Sequence, residues 1–225
     1  MTTSLPSVLE IDDLRFAYAD EPPLVTSWSA SITFGVTLLL GDTGSGKTTL
    51  LKVLAGALPA AGHLTLAGAR LGADPAAYRR QVFWCDPATD AFESVTARAC
   101  TAALSAGDDK FDADAWQLLA DGFALAPHLD KPMYMLSTGS KRKVYLAAAL
   151  ASGRALTLLD EPTGALDARS INHLLQRLAI LAEQRVRAIV IASYERPDTL
   201  EITRVITLPL SARGLDSRAR LDQGA

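Results

Sequence analysis

The stretch Gly41-Asp42-Thr43-Gly44-Ser45-Gly46-Lys47-Thr48-Thr49 restricts the folds open to this chain more than any other feature. The apolar run Val36-Thr37-Leu38-Leu39-Leu40 precedes it and Leu50-Leu51-Lys52-Val53-Leu54-Ala55-Gly56 follows, so the segment reads as strand, glycine loop, helix. In that context it fills the phosphate-binding pattern G-x-x-x-x-G-K-[ST]. Glycines let the backbone curl with its N–H groups inward, and the helix adds unpaired amides and a positive dipole end at the same point. An anion fits there. Lys47 would reach the β- and γ-phosphates of a nucleotide, and the Thr48 hydroxyl would ligate Mg²⁺.

The 225 residues suit one globular domain with room for a subdomain, because single cores stop growing only at about 250–300 residues. At 49% apolar and 21% charged, the chain is neither disordered nor of low complexity. A net charge of −3 gives no general attraction to nucleic acid or to an anionic membrane surface, so no nucleic-acid partner is expected. Cys85 and Cys100 are the only cysteines and lack C-x-x-C spacing, which argues against a disulfide framework or zinc site and fits a reducing compartment. Residues 1–13 lack the basic segment and apolar core of a signal peptide, and no apolar run nears the ~20 residues that cross a bilayer. A role at a membrane would come through docking on another protein.

Residues 7–18 and 26–40 read as opening strands, separated by the turn Asp20-Glu21-Pro22-Pro23. A helix is expected over 46–58, stopped by Pro59, followed by short strands at 63–66 and 81–84. Over 86–136 the character changes to short helices and polar turns. Asp112 is a plausible N-cap there, and Trp116, Leu119 and Phe123 recur at helical spacing as core residues. An alanine-rich helix over 144–151, a buried strand over 155–159, an amphipathic helix over 168–185 and a β-branched strand over 188–192 then complete a β-α-β alternation and imply a parallel sheet. Residues 211–225 are small, charged and aperiodic, as in a frayed tail.

The strand over 155–159 ends in Asp160-Glu161. Asp160 would sit beside Mg²⁺, directly or through water, and Glu161 could accept a proton from an attacking water. Between the loop and this strand, Leu136-Ser137-Thr138-Gly139-Ser140 directly precedes a helix. Ser137 can cap that helix, and the free amides at Thr138 and Gly139 make a second anion-binding terminus.

Taken in order, the phosphate loop, an L-S-x-G helix start, a D-E strand about twenty residues on and Gly164-Ala165-Leu166-Asp167 resemble the ATP-binding cassette (ABC) ATPase family over nearly the whole chain. The resemblance implies an α/β P-loop NTPase (RecA-like) core with a mainly parallel sheet, an N-terminal antiparallel β subdomain and an inserted helical subdomain. It implies one domain over 1–225, with the core at 1–85 and 141–210, the helical subdomain at about 86–140 and the tail at 211–225. Residues 136–140 would be the signature motif, Asp160 and Glu161 the Walker B pair, and Ala165-Leu166-Asp167 the D-loop. Tyr18 stands where the family places an aromatic that stacks on adenine. ATP and Mg²⁺ are the implied cofactors. Two such subunits, identical or different, would associate head to tail, with Ser137 and Gly139 reaching the γ-phosphate held by the partner's loop. The pair would drive a separate transmembrane subunit from the cytoplasmic face.

Two positions depart from the family. Its Gln before the helical insertion is Cys85 here, and a thiol is a poor substitute for an amide that both donates and accepts. Its His after the last core strand is Tyr194, which is neutral, longer and differently directed. Ser140 replaces the usual Gln of the signature, a milder change. His63, His128 and His173 lie elsewhere and are expected on the surface or as satisfied core residues. ATP binding with slow hydrolysis, or hydrolysis that depends on a better equipped partner subunit, follows from these changes. A regulatory ATP-dependent dimerisation module with little hydrolysis is the second functional class. Tandem cassettes, coiled coils and basic faces typical of soluble ABC ATPases are not visible, and the signature stretch argues against a kinase.

Overall fold

The computed structural model describes residues 7–86 and 88–209; the tail expected over 211–225 lies outside the described residues. The elements are β1 (Ser7–Phe16), β2 (Val25–Thr33), β3 (Gly35–Leu40), α1 (Lys47–Leu54), β4 (Ala61–Leu66), β5 (Ala69–Arg70), α2 (Pro75–Arg80) and β6 (Val82–Phe83). There follow α3 (Ala97–Ser105), α4 (Ala113–Gly122), two 3₁₀ turns (Ala126–His128 and Met133–Met135), α5 (Thr138–Ala151), β7 (Leu156–Asp160), α6 (Ala168–Gln184), β8 (Ala188–Ser193) and β9 (Arg204–Thr207).

Two sheets result. An antiparallel one has the order β2-β1-β4-β5, and a five-stranded one the order β6-β7-β8-β3-β9. Every recorded pairing in the second sheet is parallel. Its central strands are covered on both faces, which is why β3 and β8 read as continuous apolar runs. The two-residue side-chain period sorts them: Ile189 and Ile191 join Val36 and Leu38 in a core shared with α3, α4, α5 and α6. Ala188, Val190 and Ala192 point the other way and pack with Leu39, α1 and the antiparallel sheet. Leu119 and Phe123 lie in the helical core, with Trp116 packed against it, as their spacing suggests.

Several boundaries differ from the sequence expectation. The run over 26–40 is two strands in two different sheets, because the chain turns at Gly35 with φ 99°. Helix α1 ends at Leu54 and not at Pro59. Gly56 adopts φ 68°, and the N–H groups of Ala57 and Leu58 turn back to Lys52 O at 2.9 and 3.2 Å. A glycine in the left-handed region closes the helix before the proline is reached. Helix α5 starts at Thr138, six residues earlier than the alanine pattern indicates, because the Ser137 hydroxyl accepts the Ser140 N–H at 3.1 Å and opens it.

His173 is not a satisfied core residue. Its Nε2 is buried without a partner, and its ring stands edge-on to Phe123 at 4.9 Å. Burial, with Arg177 and Arg169 nearby, lowers its pKa. Among the described residues, no helix is long and apolar enough to cross a membrane.

Candidate functional site

The parallel sheet brings the chemical residues to one edge. Leu40 pairs with Ser193 and Asp160 with Ala192, so β3, β8 and β7 end level, and Gly41, Tyr194 and Glu161 leave side by side. Gly41 N–H donates to Ser193 O at 3.3 Å and Glu161 N–H to Ala192 O at 2.9 Å, fixing both loops to β8. Ligands of open α/β sheets bind beyond the carboxyl ends of the strands. A cleft of about 890 Å³ lies there, lined by Thr43, Gly44 and Gly46 through Thr49, by Asp160 and Glu161, and by Tyr194. That volume is within the range of small-molecule sites.

No side chain caps α1; its N-cap is Gly46, at φ 92°, so the first amides of the helix are left for a ligand. Lys47 is 7% exposed, and its Nζ donates to Gly41 O at 2.7 Å and Asp42 O at 3.1 Å and lies 3.3 Å from Glu161 Oε1. The cation is thus centred between the loop and the Glu161 carboxylate. Thr48 Oγ1 donates to Asp160 Oδ2 at 2.6 Å, joining residues 112 positions apart. Asp160 Oδ1 is buried with no hydrogen-bond partner among the described residues, as is Ser45 Oγ. An orphaned carboxylate oxygen beside a hydroxyl is a hard donor pair that fits Mg²⁺. Among the described residues no group of three or more His, Cys, Asp or Glu could hold a metal alone. Phosphate oxygens and water would supply the other ligands, as Mg²⁺ sites in nucleotide enzymes require.

Tyr18 lies beyond the end of β1 and not on an alternating strand, so core packing does not claim it. It is 45% exposed, its ring stands edge-on to Phe16 at 5.0 Å, and its hydroxyl is 3.1 Å from Thr49 Oγ1. The ring is therefore at the rim of the phosphate loop. Tyr194, which lines the cleft, is 60% exposed. Cys85 is half-buried, and burial pushes its thiol up to about 12, so it is no thiolate near neutral pH. It lines a neighbouring cavity of about 320 Å³, with Phe83, Tyr145 and Leu158, which shares Arg142, Asp160 and Pro162 with the cleft.

The signature residues are not drawn into this cleft. Ser137 and Thr138 are exposed at the start of α5, and the Ser137 and Ser140 hydroxyls lie 3.0 Å apart. Any Cβ at Gly139 would collide with the carbonyl oxygen of Ala165, so glycine is needed for this helix to approach the loop before α6. Asp167 is the N-cap of α6, accepting from Ser170 N at 2.9 Å and from Lys143 Nζ at 2.6 Å. Those bonds, the Lys143 one foremost, hold its carboxyl well below the usual range.

Sequence reasoning missed a set of cations. Lys52 in α1 pairs with Asp86 at 2.7 Å, tying the phosphate-loop helix to the segment after β6. Lys141 pairs with Glu93, and Arg142 donates to the backbone oxygen of Glu161. The signal was the run Lys141-Arg142-Lys143 after the signature. Glu161 itself sits at φ 42°, a left-handed conformation that costs a non-glycine residue of order 1–3 kcal/mol and persists where the surroundings over-determine it.

Residues 31–164, more than half of the chain, match the family described as ABC transporter. The cytochrome c biogenesis ATP-binding export protein CcmA of Rhodospirillum rubrum is 38% identical over 180 residues, covering 77% of this chain and 74% of that protein. The taurine import ATP-binding protein TauB of Pseudomonas fluorescens is 30% identical over 229 residues, covering 97% and 84%. A solved structure of a putative ABC transporter ATP-binding protein from Pyrococcus furiosus superposes with a TM-score of 0.72 over 89% of this chain and 96% of its own, at 23% identity, a likeness of fold. With a phosphate loop, an acidic strand end and a capped signature helix in the family's order, and with relatives of this similarity, the chain belongs to the ABC transporter family as an ATP-binding subunit.

Proposed function

We propose that this subunit binds Mg²⁺–ATP in the cleft above β3, β7 and β8 and hydrolyses it slowly at an interface with a second ABC subunit, identical or different, to drive a separate membrane-spanning partner. The observation that carries the reading is the convergence of Lys47, Thr48, Asp160 and Glu161, with one buried carboxylate oxygen left unpartnered. The amides of residues 43–48 and Lys47 would hold the β- and γ-phosphates, Thr48 and Asp160 the Mg²⁺, and Tyr18 the adenine face. Bound Mg²⁺ would neutralise charge on the phosphates. Glu161 would take the proton of the water that attacks the γ-phosphorus in line as the bond to ADP breaks. The exposed Ser137 and Thr138 at the start of α5 support a trans role for Ser137, Thr138 and Gly139: none of the three lines the cleft of its own chain, which leaves them to cover that of a partner. Asp167, fastened to Lys143 and the α6 cap, would shape the same interface.

Slow hydrolysis follows from two replacements. The protonated Cys85 thiol cannot orient the water as an amide would, and the Tyr194 hydroxyl gives no imidazole to the γ-phosphate. The relatives named above include an exporter and an importer, so the proposal is confined to ATP-driven transport. Its test is the double variant Cys85→Gln, Tyr194→His. Since one oriented donor in a transition state is worth about 10²–10³ in rate, hydrolysis at saturating ATP should rise by at least about tenfold with ATP affinity little changed. A rate that stays at the wild-type value would show that these positions do not limit it.

A further inference from the structure

Three consecutive cations at the start of α5 fasten it to three different segments of its own chain. Lys141 pairs with Glu93 ahead of α3, and Lys143 pairs with Asp167 at the cap of α6. Arg142, between them, takes no carboxylate; its Nη1 donates to the backbone oxygen of Glu161. That oxygen already accepts the Gly164 N–H at 3.0 Å. The guanidinium is therefore not needed to satisfy the carbonyl. It adds a second hold on the peptide that carries the left-handed φ of 42°. Gly164 leaves room for it: a Cβ there would stand 3.1 Å from Arg142 Nη1.

We propose that Arg142 is the positioning residue for Glu161, acting on its backbone from the first turn of the signature helix. This rests on the reading of Glu161 as the base. The direction of the Glu161 side chain follows from the orientation of its peptide, and that orientation keeps Oε1 at 3.3 Å from Lys47 Nζ. Without Arg142 the Glu161 carbonyl is held by the Gly164 N–H alone, with the Glu161 N–H still on Ala192 O, and the backbone relaxes toward the extended region favoured before Pro162, carrying the carboxylate off the cleft. The same helix start bears the exposed Ser137 and Thr138. A movement imposed on those groups by a second subunit is thus transmitted, through Arg142, to the base of this subunit's own site.

The test uses the full chain, with single-turnover ATP hydrolysis and ATP affinity measured for Arg142→Ala and Arg142→Lys, each with and without Glu161→Gln. Misplacing a catalytic group by about 1 Å costs on the order of 10² in rate, so Arg142→Ala should lose roughly tenfold to a hundredfold in rate; because Arg142 also lines the cleft, ATP affinity should fall as well, but by less than the rate does. Arg142→Lys should recover part of the loss, and in the Glu161→Gln background Arg142→Ala should cost nothing more. Hydrogen exchange, which needs no turnover, should quicken by at least about tenfold at the Gly164 and Leu166 amides of Arg142→Ala. A rate equal to wild type while Glu161→Gln abolishes hydrolysis overturns the positioning role alone. So does an equal proportional loss in both backgrounds. If Glu161→Gln leaves the wild-type rate intact, the base assignment fails, and unchanged exchange at Gly164 removes the backbone hold as well.

Discussion

Replacing Glu161 with Gln is expected to lower single-turnover hydrolysis by about 10²–10⁴ while ATP still binds, the range over which a positioned general base acts. The substitution keeps the shape of the side chain and removes its basicity. It also removes a negative charge that faces Lys47 at 3.3 Å and, in the complex, would face the γ-phosphate. ATP affinity should therefore hold or tighten, which separates a lost base from a damaged site. Rapid-quench hydrolysis with saturating Mg²⁺–ATP, beside equilibrium binding, measures both quantities. A loss of binding in step with the loss of rate would assign Glu161 to the binding of nucleotide instead.

Lys47→Ala should act on the opposite step. Lys47 is nearly buried, and its ammonium is held by the oxygens of Gly41, Asp42 and Glu161. Hydrogen bonds to charged groups are worth about 1.5–3 kcal/mol, so losing the cation should weaken ATP binding by roughly tenfold to 150-fold. The Glu161 carboxylate, left without its counter-ion, would add repulsion toward the triphosphate. Thermal melting with and without Mg²⁺–ATP checks this. Ligand that binds only the folded state raises the midpoint in proportion to RT ln(1 + [L]/Kd), so at equal ligand concentration the shift should be clearly smaller in the variant than in the wild type. A shift of wild-type size would place the nucleotide elsewhere.

The site was legible where its grammar is local. Gly41 to Thr49 carries its own strand and helix, and Asp160-Glu161 ends an apolar run, so both could be found by inspection of a few residues. Ser137 announced the cap of α5. What could not be read depends on pairing across the chain. The place of β8 between β7 and β3 follows from register between strands whose hydrophobic runs are interchangeable. The four-residue β9 carries too short a pattern to stand out. Helix α3 is capped by Thr96, but its alanines and Ser105 leave a weak apolar stripe that does not distinguish it from the polar turns around it. The partners of Lys141, Arg142 and Lys143 lie 48, 19 and 24 residues away. Three adjacent cations on a helix read as a solvated face, and only the tertiary fold turns them into clamps. Tyr18 shows the reverse error, since an aromatic that seemed to continue a strand is released by the end of β1 at Phe16.

The central claim is that the phosphate loop binds ATP fully while Cys85 and Tyr194 hold back its hydrolysis. The most direct measurement is the ATP affinity of the unmodified protein beside its turnover under saturating Mg²⁺–ATP. ATP binding weakened tenfold or more by Lys47→Ala, together with turnover well below the ~10 per second median of enzymes, is the predicted result. Turnover near that median, abolished by Glu161→Gln, would contradict it.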